Sequence, residues 1–332
     1  SPANGSNVAL ATNLGVMIST DGGNSFALAT GIPTSSLVGG MDVKFDSNGL
    51  LYCSVGAIAG TSTLIPGGKV YKSNTNTLSG FTDITPTSNV LADLNYGRIE
   101  LAIAPSNPNV VYASCANKNT TGADASSATL KALFVSYDAG ITWGLIVQGS
   151  APIDPLTFLG ILASGDYAHT LKVSATDPNT LLIGGYSMVV WKRLVGSFGD
   201  SNATPTGTWV TLGSSLAKGS PYYLHENIHD IQVIPGTPNN KYFFVTDAGI
   251  FRSTDIASTT QALPPSFQPF YKGLVTGQFN SVSIDRFPAG EGIGSTVPGS
   301  SVIPYSGFIG GTGGNGLTYY SGTYSLVTQE TS

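Results

Sequence analysis

An all-β fold is predicted for this chain by its composition, the period of its apolar residues, and an internal repeat. Of 332 residues, 42 are Gly and 19 are Pro, and only 10% are charged. Long helices need Ala, Leu, Glu, Lys and Arg, whereas a chain rich in Gly, Ser, Thr and Asn suits short strands joined by tight turns. At 41% hydrophobic and 10% aromatic residues the chain can fill a core and is not a disordered segment. Apolar residues alternate with others in IELAIAPSNPN (99–109), HTLKVSATDPN (169–179) and HDIQVIPGTPN (229–239), which align without gaps. Period two means strand.

Two further copies of that strand start at Met41 (MDVKFDSNG) and Asn280 (NSVSIDRFP). After each turn comes an unbroken apolar run: LLYCSVG, VVYASCA, TLLIGGY, YFFVTDAG or GFIGGTGG. A third short run follows, such as KVYKSNTN, LFVSYDAG, VVWKRL, GIFRSTD or GLTYYSG, and often a fourth with an aromatic, as in TWVTL. Each unit therefore reads as a four-stranded antiparallel meander. Starts near 41, 99, 169, 229 and 280 are 58, 70, 60 and 51 residues apart. Units of this size repeated about an axis are blades of a β-propeller. The expectation is one propeller region over 1–332 with six blades visible. The first blade, 1–40, is partial, because NVALATNLGVMISTDGGNSF opens on a second strand.

The formal charge is −5, and Arg98, Arg193, Arg252 and Arg286 form no basic stripe. That argues against nucleic acid or an anionic membrane as partner. No run of about 18 apolar residues exists to insert into a bilayer. Cys53 and Cys115 are expected as buried free thiols, with a bridge between neighbouring units as the alternative. No cofactor or metal is expected.

One stretch tests that last expectation. His225-Glu226-Asn227-Ile228-His229 matches H-E-x-x-H, which on a helix would hold zinc. Here a helix would run into the strand starting at His229, so the match is expected to be coincidental. Glu100 and Asp230 share one register, one residue into the first strand of their units. With Glu226 they are the candidate acids for general acid–base chemistry, set against a reading as solvated charge lining a channel. Arg98, His169, His229, Tyr222 and Tyr223 are candidate ligand contacts. The longest insertions, Ser54–Gly68, Asn117–Leu130 and Leu194–Thr208, are expected as polar surface loops. The apolar segment 151–165 is expected as a short helix or a buried connection.

Two segments carry Ser-x-Asp-x-Gly-x-x-Trp/Phe: Ser19, Asp21, Gly23 and Phe26, then Ser136, Asp138, Gly140 and Trp143. This resembles the Asp-box, or bacterial neuraminidase repeat. Eroded copies are Ser73-Asn74-Thr75-Asn76 and Ser253-Thr254-Asp255. The resemblance implies a structural role for the box at the hairpin between third and fourth strands. It also implies a ring of seven or eight blades, so the chain is expected to be part of a longer polypeptide. Among box-bearing propellers it is similar to sialidases, sortilin-like propellers and xyloglucanase-type glycoside hydrolases. Their carboxylate-bearing loops and N-terminal arginine context are not found here. The phrases from Gly273 to Val282 and from Gly310 to Gly316 most resemble large exported surface propellers of Bacteroidetes, which implies an extracellular or cell-surface bacterial protein and the type IX secretion route. The function this implies is a non-enzymatic interaction or adhesion scaffold, contacting protein or glycan at the cell surface. The alternatives are a glycoside hydrolase using first-strand carboxylates and a structural subunit of a surface assembly.

Overall fold

The computed structural model describes residues 1–35, 37–57, 67–91, 93–118, 128–148, 154–158, 162–194, 205–213, 215–234, 240–254, 256, 265–270, 279–285, 306–312 and 316–322; of the last three stretches it describes the backbone. The chain divides into two compact units, Ser1–Thr246 with Ile250–Phe270, and Asp247–Gly249 with Tyr271–Ser332.

The first unit is a succession of antiparallel meanders. β1 (Val8–Thr12), β2 (Gly15–Ser19) and β3 (Ala27–Leu28) make a three-stranded sheet. β4 (Val38–Phe45), β5 (Leu51–Ala57), β6 (Lys69–Ser73) and β7 (Phe81–Asp83) make the second sheet. β8 (Tyr96–Ala104), β9 (Asn107–Asn117), β10 (Leu130–Ser136) and β11 (Gly144–Gln148) make the third. A two-stranded pair, β12 (Thr157–Phe158) with β13 (Leu162–Ala163), precedes the fourth sheet. That sheet is β14 (Thr170–Val173), β15 (Thr180–Gly184), β16 (Met188–Arg193) and β17 (Gly207–Leu212). β18 (Ile228–Ile234), β19 (Lys241–Thr246), β20 (Gly249–Ser253) and β21 (Gln268–Pro269) make the fifth. The second unit contains β22 (Phe279–Asp285), β23 (Ser306–Thr312) and β24 (Gly316–Gly322), paired in that order.

The protein is therefore all-β, with blades of the expected propeller kind. The first strands of successive sheets lie side by side, β1 against β4, β4 against β8, β8 against β14 and β14 against β18. The cores lie between sheets. One cluster joins Leu51, Cys53 and Tyr71 of the second sheet to Val16 of the first. Another joins Tyr52 and Val70 to Ile99, Leu101 and Phe134 of the third. A further one joins Tyr112, Leu133 and Val135 to Leu181, Ile183 and Trp191 of the fourth. A second strand sandwiched in this way is buried on both faces, as β5, β9 and β15 are. That is why these strands read as unbroken apolar runs rather than alternating ones. Outer strands β3 and β21 are exposed.

First strands pair on one side only, so their other edge has to find partners elsewhere. Asp42 Oδ2 accepts the Leu101 N–H at 2.9 Å, and the Ser54 hydroxyl donates to the Ile99 carbonyl at 2.6 Å. The Ile228 N–H donates to the Gly185 carbonyl at 2.7 Å. Between β1 and β4 only glycine fits. A Cβ on Gly40 would meet the Gly15 carbonyl oxygen at 2.9 Å and Ala11 Cα at 3.0 Å.

The described part of segment 151–165 is a buried connection with a strand pair, and Leu156 has no exposed surface. Cys53 and Cys115 are buried and free. Most of the predicted insertions lie outside the described residues, as do Asp255, Gly273–Gln278 and Gly313–Asn315.

Candidate functional site

The repeat places residues 42, 100, 170 and 230 at one position of β4, β8, β14 and β18, and residues 44, 102, 172 and 232 two further on. Residues two apart in a strand share a face. In these rows the carboxylates take partners on the same face of their own strand. Asp42 Oδ1 accepts the Val43 N–H at 2.8 Å and holds the Lys44 ammonium. Glu100 Oε1 accepts Arg98 Nε at 2.7 Å, with Arg98 Nη2 also at 2.7 Å. Asp230 accepts the Ile231 N–H at 2.8 Å and the Gln232 amide at 2.7 Å.

Burial differs along the row. Asp42 and Glu100 are buried at 7% and 5% exposure, while Asp230 is exposed. Burial pushes the Glu100 carboxyl up to about 8, with the Asp42 charge adding to it and Arg98 and Lys44 opposing. At neutral pH this acid is protonated. Burial pulls the Lys44 ammonium down, but Asp42, Glu100 and Asp230 outweigh it and raise the group above the ordinary lysine value. Burial lowers Lys172, with the Lys44 charge acting the same way and Asp230 opposing. Glu100 and Asp230 thus belong to one electrostatic cluster through Lys44.

His169 precedes β14. Its Nε2 lies 2.8 Å from the Ser114 hydroxyl, and its Nδ1 is buried without a hydrogen-bond partner among the described residues. Burial, then the Arg98 charge, holds it well below the ordinary imidazole value, so it is neutral. Arg98 also donates through Nη1 to the Asp166 carbonyl at 3.2 Å. The next residue, Tyr167, is 50% exposed. It meets His229 edge to face, with centroids 4.9 Å apart at 89°.

Glu226 is not in this cluster. Its Oε2 lies 3.9 Å from His225 Nδ1, and its charge acts on Tyr186. Tyr223 packs edge to face on His225 and Phe251 at 6.3 and 5.8 Å. Tyr222 is exposed at the turn before it. Residues 225–227 form a loop, and His229 is in strand β18, so the H-E-x-x-H match is not helical. Among the described residues no cluster of three or more His, Cys, Asp or Glu could hold a metal ion.

The two Ser-x-Asp hairpins share one bonding pattern. Asp21 accepts Ser19 Oγ at 2.6 Å, Ser25 N at 3.0 Å and Ser25 Oγ at 2.6 Å. Asp138 accepts Ser136 Oγ at 2.7 Å, Thr142 N at 2.8 Å and Thr142 Oγ1 at 2.5 Å. Gly23 and Gly140 sit at φ of 92° and 89°, a region that costs glycine little. Each donates its N–H to the first serine, at 2.9 and 2.8 Å. Hydrogen bonds from Ser19 and then Ser25 hold Asp21 far below the carboxylate range. Burial raises Asp138, but the bonds from Thr142 and Ser136 outweigh it and the group stays low. Each aspartate accepts three hydrogen bonds from its own hairpin, which fits turn-building. Trp143 closes its hairpin by donating Nε1–H to the Ile84 carbonyl of the preceding sheet at 2.8 Å.

Asp42, Lys44, Lys172 and Tyr167 were not among the candidates. Asp42 had a signal, because in MDVKF it occupies the position of Glu100 and Asp230. Tyr167 had none, since its loop meets β18 only in three dimensions.

No protein-family model matches the chain. No curated protein matches it either. Among solved structures, it is similar to an ancestral GH74 enzyme at 16% identity and TM-score 0.46, covering 96% of this chain and 46% of that one. It is similar to the GH74 xyloglucanase from Xanthomonas campestris at 17% identity and TM-score 0.40, covering 92% of this chain and 39% of that one. A GH43 β-1,3-galactosidase gives 12% identity and TM-score 0.36, with 81% of this chain and 52% of that one covered. The chain thus spans less than half the length of the first two.

Proposed function

We propose that this chain is a binding module of β-propeller type, and that it contacts glycan at the edge of its first strands. One observation carries this: Tyr167, half exposed, is braced edge to face on His229, with Asp230 next in sequence and Arg98 tied to the preceding residue's carbonyl. An exposed aromatic face suits a sugar ring, and polar groups on the strands that brace it suit its hydroxyls. The buried acids Asp42 and Glu100 are already engaged by fixed donors and are not the ligand contacts in this reading.

The two Ser-x-Asp hairpins are Asp-boxes in this reading, brackets at the outer rim. The phrases around Gly273 and Gly310 favour an exported, surface-displayed bacterial protein of the type IX kind, with an adhesive role and protein partners as well as glycan. A glycan array followed by titration of the best hit tests the proposal. Tyr167→Ala should weaken binding about tenfold or more while leaving the unfolding midpoint in place. Arg98→Ala should weaken binding as well, but should also lower the midpoint, because it strips the buried Glu100 of its donors. If no glycan binds, or both variants bind like the parent, the proposal fails.

A second reading is favoured by Glu100. An acid held protonated at neutral pH within the field of a second carboxylate, Asp42, is what a glycoside hydrolase needs of its general acid. Its mark would be turnover of a plant or sialylated glycan that Glu100→Gln abolishes.

A further inference from the structure

At the outer rim of the first unit, a groove of about 680 Å³ runs between the second and third sheets. One wall is the end of β7 and the loop after it, from Thr82 to Val90; the other is the hairpin from Gly140 to Trp143. Its volume falls within the range of about 300–1,000 Å³ usual for ligand clefts. We propose that this groove is a second binding site, distinct from the first-strand surface, and that it takes a neutral oligosaccharide.

The lining carries the inference. Trp143 is held in one orientation by its bond to the Ile84 carbonyl, so the indole is a fixed platform, and it lines the groove. A rigid aromatic contributes contact area with little entropy to lose on binding. Around it stand short neutral polar side chains, among them Thr87, Ser88 and Asn89, and Thr87 and Asn89 are exposed. Hydroxyl and amide groups both donate and accept, as sugar hydroxyls require. Asp83 is the one charged residue in the lining, and it faces Lys69 at 3.4 Å. With its one carboxylate paired to Lys69 and no Lys or Arg in its walls, the groove presents little net charge and offers phosphate, sulfate or sialate no cation of its own. Val90 and Ile141, 67% and 78% exposed, add apolar shoulders for the C–H faces of a sugar chain. Asp138, whose hydrogen bonds shape this hairpin, builds the wall and does not meet the ligand.

The test uses protein labelled with 5-fluorotryptophan, whose three fluorine resonances report on the three tryptophans separately. Trp143→Phe assigns the resonance of Trp143. The probes are neutral tetrasaccharides of β-1,4-glucose, α-1,4-glucose and β-1,4-N-acetylglucosamine, with sialyllactose as the anionic comparison. At least one neutral probe should shift the Trp143 resonance saturably below about 10 mM, and sialyllactose should not. Thr87→Ala combined with Asn89→Ala, both exposed, should weaken that shift about 2- to 10-fold. Tyr167→Ala should leave it unchanged, so failure at the first-strand surface and failure here are distinguishable. No shift with any neutral probe, an equal shift with sialyllactose, or indifference to the double variant overturns the proposal.

Discussion

Glu100 should make the stability of this protein fall as pH rises through neutrality. Its carboxyl is pushed to about 8 in the folded chain against an ordinary 4.5. The folded state then binds more protons than the unfolded state across that interval, and stability must decline with pH. The contribution is complete below about pH 4.5 and gone above about pH 8. At about 1.4 kcal/mol per decade, its ceiling is about 5 kcal/mol. Relaxation around the carboxylate and the partly exposed Arg98 reduce this, and about 2–4 kcal/mol is the working expectation. His169 acts oppositely at lower pH. Held neutral by burial, it costs stability as pH falls through the unfolded imidazole value near 6.5. The two must be separated by difference. Glu100→Gln keeps an acceptor for Arg98 and removes the titration. Urea unfolding followed by tryptophan fluorescence, from about pH 5 to about pH 9, should show the variant gaining on the parent up to about pH 8 and levelling off above it. A parent–variant difference that is constant over that range would refute the assignment.

Three further outcomes are expected. Asp138→Ala, which removes the acceptor of three hydrogen bonds, should lower unfolding stability by about 1–3 kcal/mol in urea titration. Leu156→Ala, which truncates a side chain with no exposed surface in the cluster joining the third and fourth sheets, should cost about 2–5 kcal/mol by the same measurement. Cys53 and Cys115, both buried and with thiols pushed far up by burial, should resist a thiol reagent at about pH 8 in the native protein and react fully in denaturant.

Strand order was legible because it follows from local signals. The alternating period in IELAI and HDIQV, the unbroken runs after each turn and the Ser-x-Asp hairpins are each written within about ten residues. The charged row was half legible. Glu100 and Asp230 share a register that the repeat alone exposes, and Asp42 stands in the same register. What the alignment could not show is that these residues differ in depth. Asp42 and Glu100 are buried, Asp230 is exposed, and depth comes from neighbouring sheets. Trp143 shows the same limit from the other side. Its hairpin is recognisable, but its partner is a main-chain carbonyl at Ile84, and a carbonyl has no letter.

The crowding of first strands explains why charge is placed there at all. Each of these strands has a free edge facing a neighbour with which it forms no ladder, and an unpaired N–H in that position costs about 1–3 kcal/mol. A side chain reaching across can satisfy it, as Asp42 does for Leu101. A carboxylate is a strong acceptor for that purpose, and once buried it demands a cation, which Lys44 provides. Burial, with the Asp42 charge adding to it and Lys44 opposing, then keeps Glu100 protonated. The ionisation of the row therefore follows from edge-strand bonding. Neutralising Asp42 should alter the charge state of Glu100 without either residue touching a ligand. Asp42→Asn should lower the Glu100 titration, read by carbon NMR of its carboxyl. A Glu100 titration that ignored this change would mean that burial alone sets it, and that the row is not one coupled system.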